Sequence, residues 1–410
     1  MVSPAKLSDG LAEVGEVGFG FDELFFSRTD PAGIIKFGNS VFQRIAGYIW
    51  AELLEKPHKI IRHADMPRAV FWLLWDTIKK NQPIGAYVKN RANDGRHYWV
   101  FAIVTPVEGG YLSVRLKPSS PVFDVVRREY AALRALEREQ SPTPQQSAEL
   151  LLARLRELGF DDYSAFMATA LGAEIAARDR QLGYAPDAVI QCFDDLVKGA
   201  RLLLEHASAI ASAYMRNESV PFNFRVLAAQ LGQEGAAIGV ISTNYTLLSS
   251  EMRTILAGFV ESAEAVYRAI NDGYFLACTA RMQREVIAFF ASEKGESAGR
   301  EEEMGLLDRQ QTAYGARSIS GLTDIVSKIA GFQQACVEMM RLAAGLEVTR
   351  VMGKVECSRH VGVKERMDEL LGDLETFQRT IAASLKEIEH TNHRIRVEAD
   401  GLLARAKKVA

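Results

Sequence analysis

Hydrophobic and polar positions change in short runs along the first 120 residues, and this pattern predicts β-strands with tight turns. The runs are rich in β-branched and aromatic residues, and glycine-containing turn signals such as Asn93-Asp94-Gly95 separate them. A helix with one buried face is predicted from Pro67 to Lys80. The order is therefore strand, strand, helices and three antiparallel strands, with the strands at 25–30, 34–37, 84–89, 98–106 and 111–116.

From about Pro121 onward the pattern changes to apolar positions at steps of three and four, which is typical of long packed helices in bundles or coiled coils. A charged helix is predicted from Pro121 to Gln140, and Ser141 to Pro144 breaks it. Two later interruptions are predicted to be turns of helical hairpins. They lie at 232–235 and 358–362.

Composition narrows the classes of partner. The 410 residues include 49 Lys and Arg against 52 Asp and Glu, a net charge of −3, so charge gives no reason to expect nucleic acid or an anionic membrane as partner. The four cysteines form no CxxC pair, which argues against a zinc site or a disulfide framework and favours a cytoplasmic protein. No apolar run approaches the roughly 20 residues of a membrane-spanning helix.

One region concentrates residues with chemical potential. Two histidines, two arginines and an aspartate lie between Pro57 and Phe71, and three tryptophans follow up to Trp99, a density that suggests a ligand pocket. A catalytic set is not recognisable, because no nucleophile elbow, phosphate loop or kinase signature is present. The sequence therefore predicts a sensor rather than an enzyme.

The strand order and these residues together resemble a PAS domain, and the residues of the pocket region resemble the PAS domain of bacterial aerotaxis receptors. The shared pattern comprises Pro57-His58, Arg62 to Pro67, Trp75, Lys89 to Arg91 and Gly95 to Trp99, within residues 20–118. In that family the pocket binds FAD, whose redox state reports on oxygen or respiratory status. The resemblance implies six residues at or near a flavin: His58, Arg62, His63, Asp65, Trp75 and Asn90.

The residue types fit such a ligand, and two alternatives stay open. A flavin needs an apolar slot for its rings, an amide for its pyrimidine edge and cations for its phosphates, which the tryptophans, Asn90 and Arg62 supply in turn. Haem is the rival ligand, with His58 or His63 as the axial ligand. The second alternative is that the domain binds no cofactor and mediates contacts only.

The region around Gly232 to Gly235 resembles the hairpin tip of chemoreceptor signalling domains. The chain keeps Asn223, the Ala228-Ala229 pair and both glycines, but Leu227 and Gln230 replace a glutamate and an arginine of the family. Those two residues belong to receptor and kinase contacts, so control of a chemotaxis kinase through an ordinary receptor array is in doubt. Chemotaxis kinase or coupling proteins and other receptors are the partners that the resemblance implies. A receptor hairpin completes its four-helix bundle by forming a homodimer, whereas two tandem hairpins can complete one within a single chain.

The sequence thus predicts an α+β PAS domain with a five-stranded antiparallel sheet, followed by all-α long helical hairpins or a coiled-coil bundle. The predicted function is cytoplasmic signal transduction that senses redox, oxygen or energy status and passes it to protein partners. The alternative is a scaffold of the motility or cell-cycle machinery with a cofactor-free docking domain. The predicted segments are a tail (1–19), the PAS domain (20–118), a connecting helix and linker (119–150), a hairpin (151–292), a linker (293–305) and a second hairpin (306–410).

Overall fold

The computed structural model describes residues 15–293, 299–359 and 364–409. These residues form two compact units, one within residues 15–191, 274–293 and 299–318 and one within residues 192–273, 319–359 and 364–409. The predicted tail, the linker at 293–305 and the interruption at 358–362 lie partly outside the described residues.

The first unit contains the predicted five-stranded antiparallel sheet, in the spatial order β2-β1-β5-β4-β3. Central β5 pairs with β1 and β4, and the hairpin turn between β4 and β5 uses Gly109 and Gly110, both with positive φ. The predicted strand order is therefore confirmed. The strands are β1 (Phe25–Thr29), β2 (Ile35–Gly38), β3 (Ile84–Arg91), β4 (His97–Val107) and β5 (Gly110–Leu116).

Three helices and a 3₁₀ turn connect β2 to β3. Asn39 begins the first helix by accepting a hydrogen bond from the amide of Phe42, and Gly47 ends it in the left-handed conformation. The predicted helix at 67–80 is observed one residue shorter at each end. The segments are α1 (Ser40–Ala46), α2 (Trp50–Leu53), a 3₁₀ turn (His58–Ile61) and α3 (Arg68–Lys79).

The helical region begins at Pro121, as predicted, and the first of its helices ends at Gln140. Pro144 begins the next helix, so the segment boundary expected at 150 lies inside it. The helices are α4 (Pro121–Gln140), α5 (Pro144–Glu157), α6 (Tyr163–Leu182), α7 (Ala188–Asn217), α8 (Val220–Gln230), α9 (Ala236–Ser292), α10 (Arg300–Cys357) and α11 (Lys364–Val409). Among the described residues, none of these helices is long and apolar enough to span a bilayer.

Both faces of the sheet are covered within the first unit. Side chains alternate between the two faces along each strand, so alternate residues of one strand contact different elements. On β1, Phe26 and Arg28 point to the outer face, where the ring of Phe26 packs edge-on against Phe290 at 5.1 Å. Arg28 pairs there with Glu303 at 2.7 Å. The last turns of α9 and the first turns of α10 therefore cover the outer face.

The second unit contains α8 and α11 together with parts of α7, α9 and α10. Tyr214 on α7 donates a hydrogen bond to the carbonyl of Ser249 on α9. Phe259 on α9 stacks against Phe332 on α10 at 5.2 Å. Further contacts join α10 to α11 through Arg350 and Gln378, and α7 to α11 through Gly199 and Ile395. These contacts join α7, α9, α10 and α11 within one chain, and the formation of one four-helix bundle by two tandem hairpins stays a prediction.

The turn predicted at 232–235 is observed as a short 3₁₀ segment between α8 and α9. Gly232 has a φ of +59°, and a Cβ atom at Gly235 would lie 2.2 Å from the carbonyl oxygen of Ala228. The paired glycines are thus required by the turn itself.

Candidate functional site

The inner face of the sheet encloses a cavity of about 270 Å³ together with α3 and the 3₁₀ turn. Alternation places Val88 and Asn90 of β3, Ala102 and Val104 of β4, and Ser113 and Arg115 of β5 on this face. Helix α3 closes the other side. The remaining lining residues are Thr29, Ala32, Gly33, Pro57, His58, Lys59, Arg62, Phe71, Leu74, Trp75, Ile78 and Tyr111.

Trp75 forms much of the apolar wall. Its ring packs edge-on against Tyr111, with 5.8 Å between the ring centres. The turn at Gly33 approaches the same ring so closely that a Cβ atom there would lie 3.0 Å from it, and Gly33 has a φ of +79°. Glycine at this turn therefore allows the β1–β2 connection to pack against Trp75.

Arg115 is the buried cation of the cavity, with only 2% of its surface exposed. Its guanidinium donates hydrogen bonds to Ser27 Oγ at 2.8 Å and to His58 Nε2 at 2.7 Å. It also lies over the rings of Phe25 and Phe42, 5.7 and 5.2 Å from their centres. Burial lowers the pKa of Arg115 to about 10, so the group stays charged at neutral pH.

His58 is the neutral partner of this cation. Burial, and secondly the charge of Arg115, lower the pKa of His58 to about 3. Since a guanidinium can only donate, Nε2 of His58 must accept the hydrogen bond, and Nδ1 carries the ring proton. His58 therefore holds Arg115 in place without adding or removing charge near neutral pH.

The side-chain amide of Asn90 lines the cavity without a hydrogen-bond partner in the described part of the chain. The residue is 2% exposed, and its backbone pairs with Tyr98 in the β3–β4 ladder. A buried amide without a partner is unfavourable, so this side chain is available to a ligand.

His63 and Asp65 do not line this cavity. They line a neighbouring open groove of about 790 Å³, which shares Lys59 and Arg62 with the cavity. Asp65 accepts a hydrogen bond from Lys89 Nζ at 2.8 Å, and the amide of Asp65 donates to His63 Nδ1 at 3.1 Å. Partial burial, with Lys89 acting in the same direction, lowers the pKa of His63.

The groove is cationic. Arg62 lies at its junction with the cavity, with the guanidinium carbon 3.6 Å from the centre of the Phe71 ring. The groove's carboxylates are Asp65 and Asp94, fewer than its cations, so it favours an anionic group. The lysine and arginines that line it are Lys59, Arg62, Arg68, Arg91 and Arg134.

Four of the six predicted site residues therefore lie together at the cavity: His58, Arg62, Trp75 and Asn90. The predicted residues did not include Arg115, its hydrogen-bond acceptor Ser27 or Tyr111. One signal for Arg115 exists in the sequence, because positions 111, 113 and 115 share a face of an alternating strand and a charged residue on an inward face is unusual.

Comparisons with known proteins agree with this geometry. Residues 35–113 match the PAS fold, and the N-terminal domain is a PAS domain. Over 119 residues the chain is 40% identical to the aerotaxis receptor of Escherichia coli, an alignment that covers 28% of this chain and 24% of that protein. Over 81 residues it is 33% identical to the nitrogen fixation regulatory protein of Klebsiella pneumoniae, covering 20% and 16%.

The chain thus spans a quarter or less of the length of these two relatives. An alignment with a solved PAS domain from Colwellia psychrerythraea covers 23% of this chain and 85% of that domain, with 17% identity and a TM-score of 0.21. The resemblance to the aerotaxis-receptor PAS domain is confirmed. The helical region that follows is consistent with a chemoreceptor-like signalling region.

Proposed function

We propose that the PAS domain binds a flavin, as FAD, and that the chain is a cytoplasmic signal transducer that passes the redox state of this cofactor to protein partners. The observation that carries the proposal is the cavity, in which an uncommitted amide (Asn90) and a buried cation (Arg115) face an apolar slot. Identity to an aerotaxis receptor over this domain supports the same class of ligand.

The residues present fit the parts of the cofactor. The apolar wall at Trp75, Val88 and Val104 suits a flat ring system, and Asn90 suits the amide-like edge of its pyrimidine. The cationic groove continues from the cavity through Lys59 and Arg62 and suits a diphosphate, which favours the dinucleotide over a flavin without phosphates. When bound, a flavin supplies one- and two-electron redox chemistry.

The geometry favours flavin over haem. Nε2 of His58 already accepts a hydrogen bond from Arg115, so its lone pair is not free for iron. His63 lies in the groove and not in the cavity.

A route from the cavity to the helices supports the transduction part of the proposal. Asn90 and Tyr87 lie on the same strand, and the hydroxyl of Tyr87 donates to Glu174 on α6 at 2.7 Å. Glu174 also accepts hydrogen bonds from the amides of Ser119 and Ser120, where α4 begins. A change in the hydrogen bonds of Asn90 would shift β3 and so bias the packing at the start of α4.

The proposed output is a contact surface and not catalysis. The helical bundle would present this surface to chemotaxis kinase or coupling proteins, or to other receptors. Pull-down of these proteins with the oxidised and the reduced chain tests this part, and equal capture in both states would contradict it.

The visible absorption spectrum of the purified chain tests the ligand. We expect flavin bands, with FAD released on denaturation, and loss of these bands in Asn90→Leu and Trp75→Leu. Trp72→Leu is the matched control, because Trp72 lies on the same helix but does not line the cavity, and it should keep the bands. A haem Soret band would contradict the flavin assignment, and the absence of any band would favour the cofactor-free docking module.

A further inference from the structure

Arg115 differs from the other buried cations among the described residues. Lys89 pairs with Asp65 at 2.8 Å, and Arg178 pairs with Glu285. Within the described chain, Arg115 has no carboxylate at ion-pair distance, and the partners of its guanidinium are Ser27, His58 and the carbonyl of Ser113, all neutral. The charge of Arg115 is therefore not compensated by the protein.

An uncompensated buried charge is unfavourable, and the same charge strongly favours an anion that enters its cavity. The hydroxyl of Ser27 and the ring of His58 fix the direction of the guanidinium. Its hydrogen bonds to Ser27, His58 and the carbonyl of Ser113 use three of its five N–H donors, so in the described structure two donors, one on Nη1 and the one on Nε, have no partner and are available to a ligand. Rings and aliphatic side chains surround the guanidinium, so water screens the charge little.

We propose that Arg115 distinguishes the two redox states of the ligand by binding the anionic reduced flavin more tightly than the neutral oxidised flavin. This inference rests on the proposed function. The oxidised ring system takes up two electrons from an external low-potential reductant and one proton from solvent, and it then carries one negative charge. Arg115 compensates that charge, so a second proton is not needed for neutrality in the cavity.

Redox titration with dithionite tests the inference, with the wild-type chain compared to Arg115→Gln and Arg115→Lys. In Arg115→Gln we expect the ratio of affinities for reduced and oxidised flavin to fall about tenfold or more, which is a midpoint potential lower by about 30 mV for a two-electron couple. Arg115→Lys keeps the charge without the fork of donors and should lie between the two.

The matched control is Arg91→Gln, because Arg91 lines the groove and not the cavity. This variant should weaken both redox states equally and leave the midpoint potential unchanged. An unchanged potential in Arg115→Gln, with flavin bound, would overturn the role of Arg115 and leave the proposed function standing. If the wild-type chain binds no flavin, the proposed function itself fails.

The wild-type chain provides a second test that does not depend on the folding of a variant. The midpoint potential is measured at pH values at which free reduced flavin keeps both of its protons. We expect uptake of one proton for two electrons, because Arg115 stabilises the anion. Uptake of two protons would overturn the inference.

Discussion

The two faces of the PAS sheet differ in whether their buried polar groups have protein partners. On the outer face, the carboxylate of Glu174 accepts four hydrogen bonds, from Tyr87, from the amides of Ser119 and Ser120 and from the Ser120 hydroxyl. On the inner face, Arg115 lacks a carboxylate and Asn90 lacks a side-chain hydrogen bond within the described chain. Satisfied groups hold elements of the fold together, and unsatisfied groups indicate where a ligand completes the structure.

Tryptophan fluorescence can measure the stability of the PAS domain, and so it can test the difference between the two faces. All four tryptophans, Trp50, Trp72, Trp75 and Trp99, lie in the PAS domain, so tryptophan fluorescence during urea unfolding reports on this domain alone. The ligand-free chain is the appropriate sample, because a bound ligand adds its own stabilisation.

The largest effect is expected at Glu174. Glu174→Ala leaves the buried Tyr87 hydroxyl and two backbone amides without an acceptor, which should lower the free energy of unfolding by about 3–4 kcal/mol. Glu174→Gln keeps one acceptor oxygen and should lose about half as much. A loss below about 1 kcal/mol for the alanine variant would show that the outer face does not depend on these bonds.

A pH-dependent effect is expected at His58. Its pKa of about 3 in the folded chain lies below the ordinary value near 6.5, so the folded state binds fewer protons than the unfolded state. The contribution of neutral His58 to the free energy of unfolding is fully present above about pH 6.5. It falls by about 1.4 kcal/mol per pH unit as the pH decreases toward 3.

The measurement is the free energy of unfolding at pH 7 and pH 5, with His58→Gln as the reference. Wild type should lose about 2 kcal/mol more than the variant over this interval. Equal losses in both chains would mean that His58 is not held neutral by the cavity.

A smaller effect is expected at Glu303, which is 2% exposed and pairs with Arg28 on the outer face. Glu303→Ala should lower the free energy of unfolding by about 1.5 kcal/mol, because Arg28 is partly exposed and regains water. Glu302→Ala, an exposed neighbour on the same helix, is the control and should change it by less than about 0.5 kcal/mol. The same loss in both variants would contradict a role for the ion pair.

The smallest effect on stability is expected at Asn90. In the ligand-free chain, Asn90→Leu should leave the free energy of unfolding within about 1 kcal/mol of wild type, because no hydrogen bond of the side chain is lost. The same substitution should abolish flavin retention. A loss as large as that of Glu174→Ala would place Asn90 among the structural groups and remove the contrast between the two faces.

The sequence predicts the local structure of the PAS domain well. Turn residues and strand alternation give all five strands, and Pro121 and Pro144 mark where helices begin. Rare residue types in a fixed order also identify Trp75 and Asn90, which the structure places at the cavity. These features depend on neighbours that are close in sequence.

Long-range packing is what the sequence does not reveal. Glu303 reaches Arg28 across 275 positions, and Phe290 covers β1 although its helix reads as part of a hairpin. Arg62, His63 and Asp65 all lie within four residues of the end of the 3₁₀ turn. Arg62 lines the cavity, whereas His63 and Asp65 line the groove only, and the sequence does not show this difference. Arg115 was missed because its importance comes from the absence of a partner, which only the folded arrangement shows.

The unpaired charge of Arg115 would also affect the lifetime of a newly made chain if the proposed ligand compensates it. A domain that gains stability from its ligand would open more readily before the ligand enters and would then be a better substrate for proteases. Ligand at one hundred times its dissociation constant would add about 2.7 kcal/mol of stability. If the PAS domain binds the proposed flavin, the abundance of this protein in the cell would then follow the supply of flavin, so the number of folded chains would itself depend on flavin metabolism.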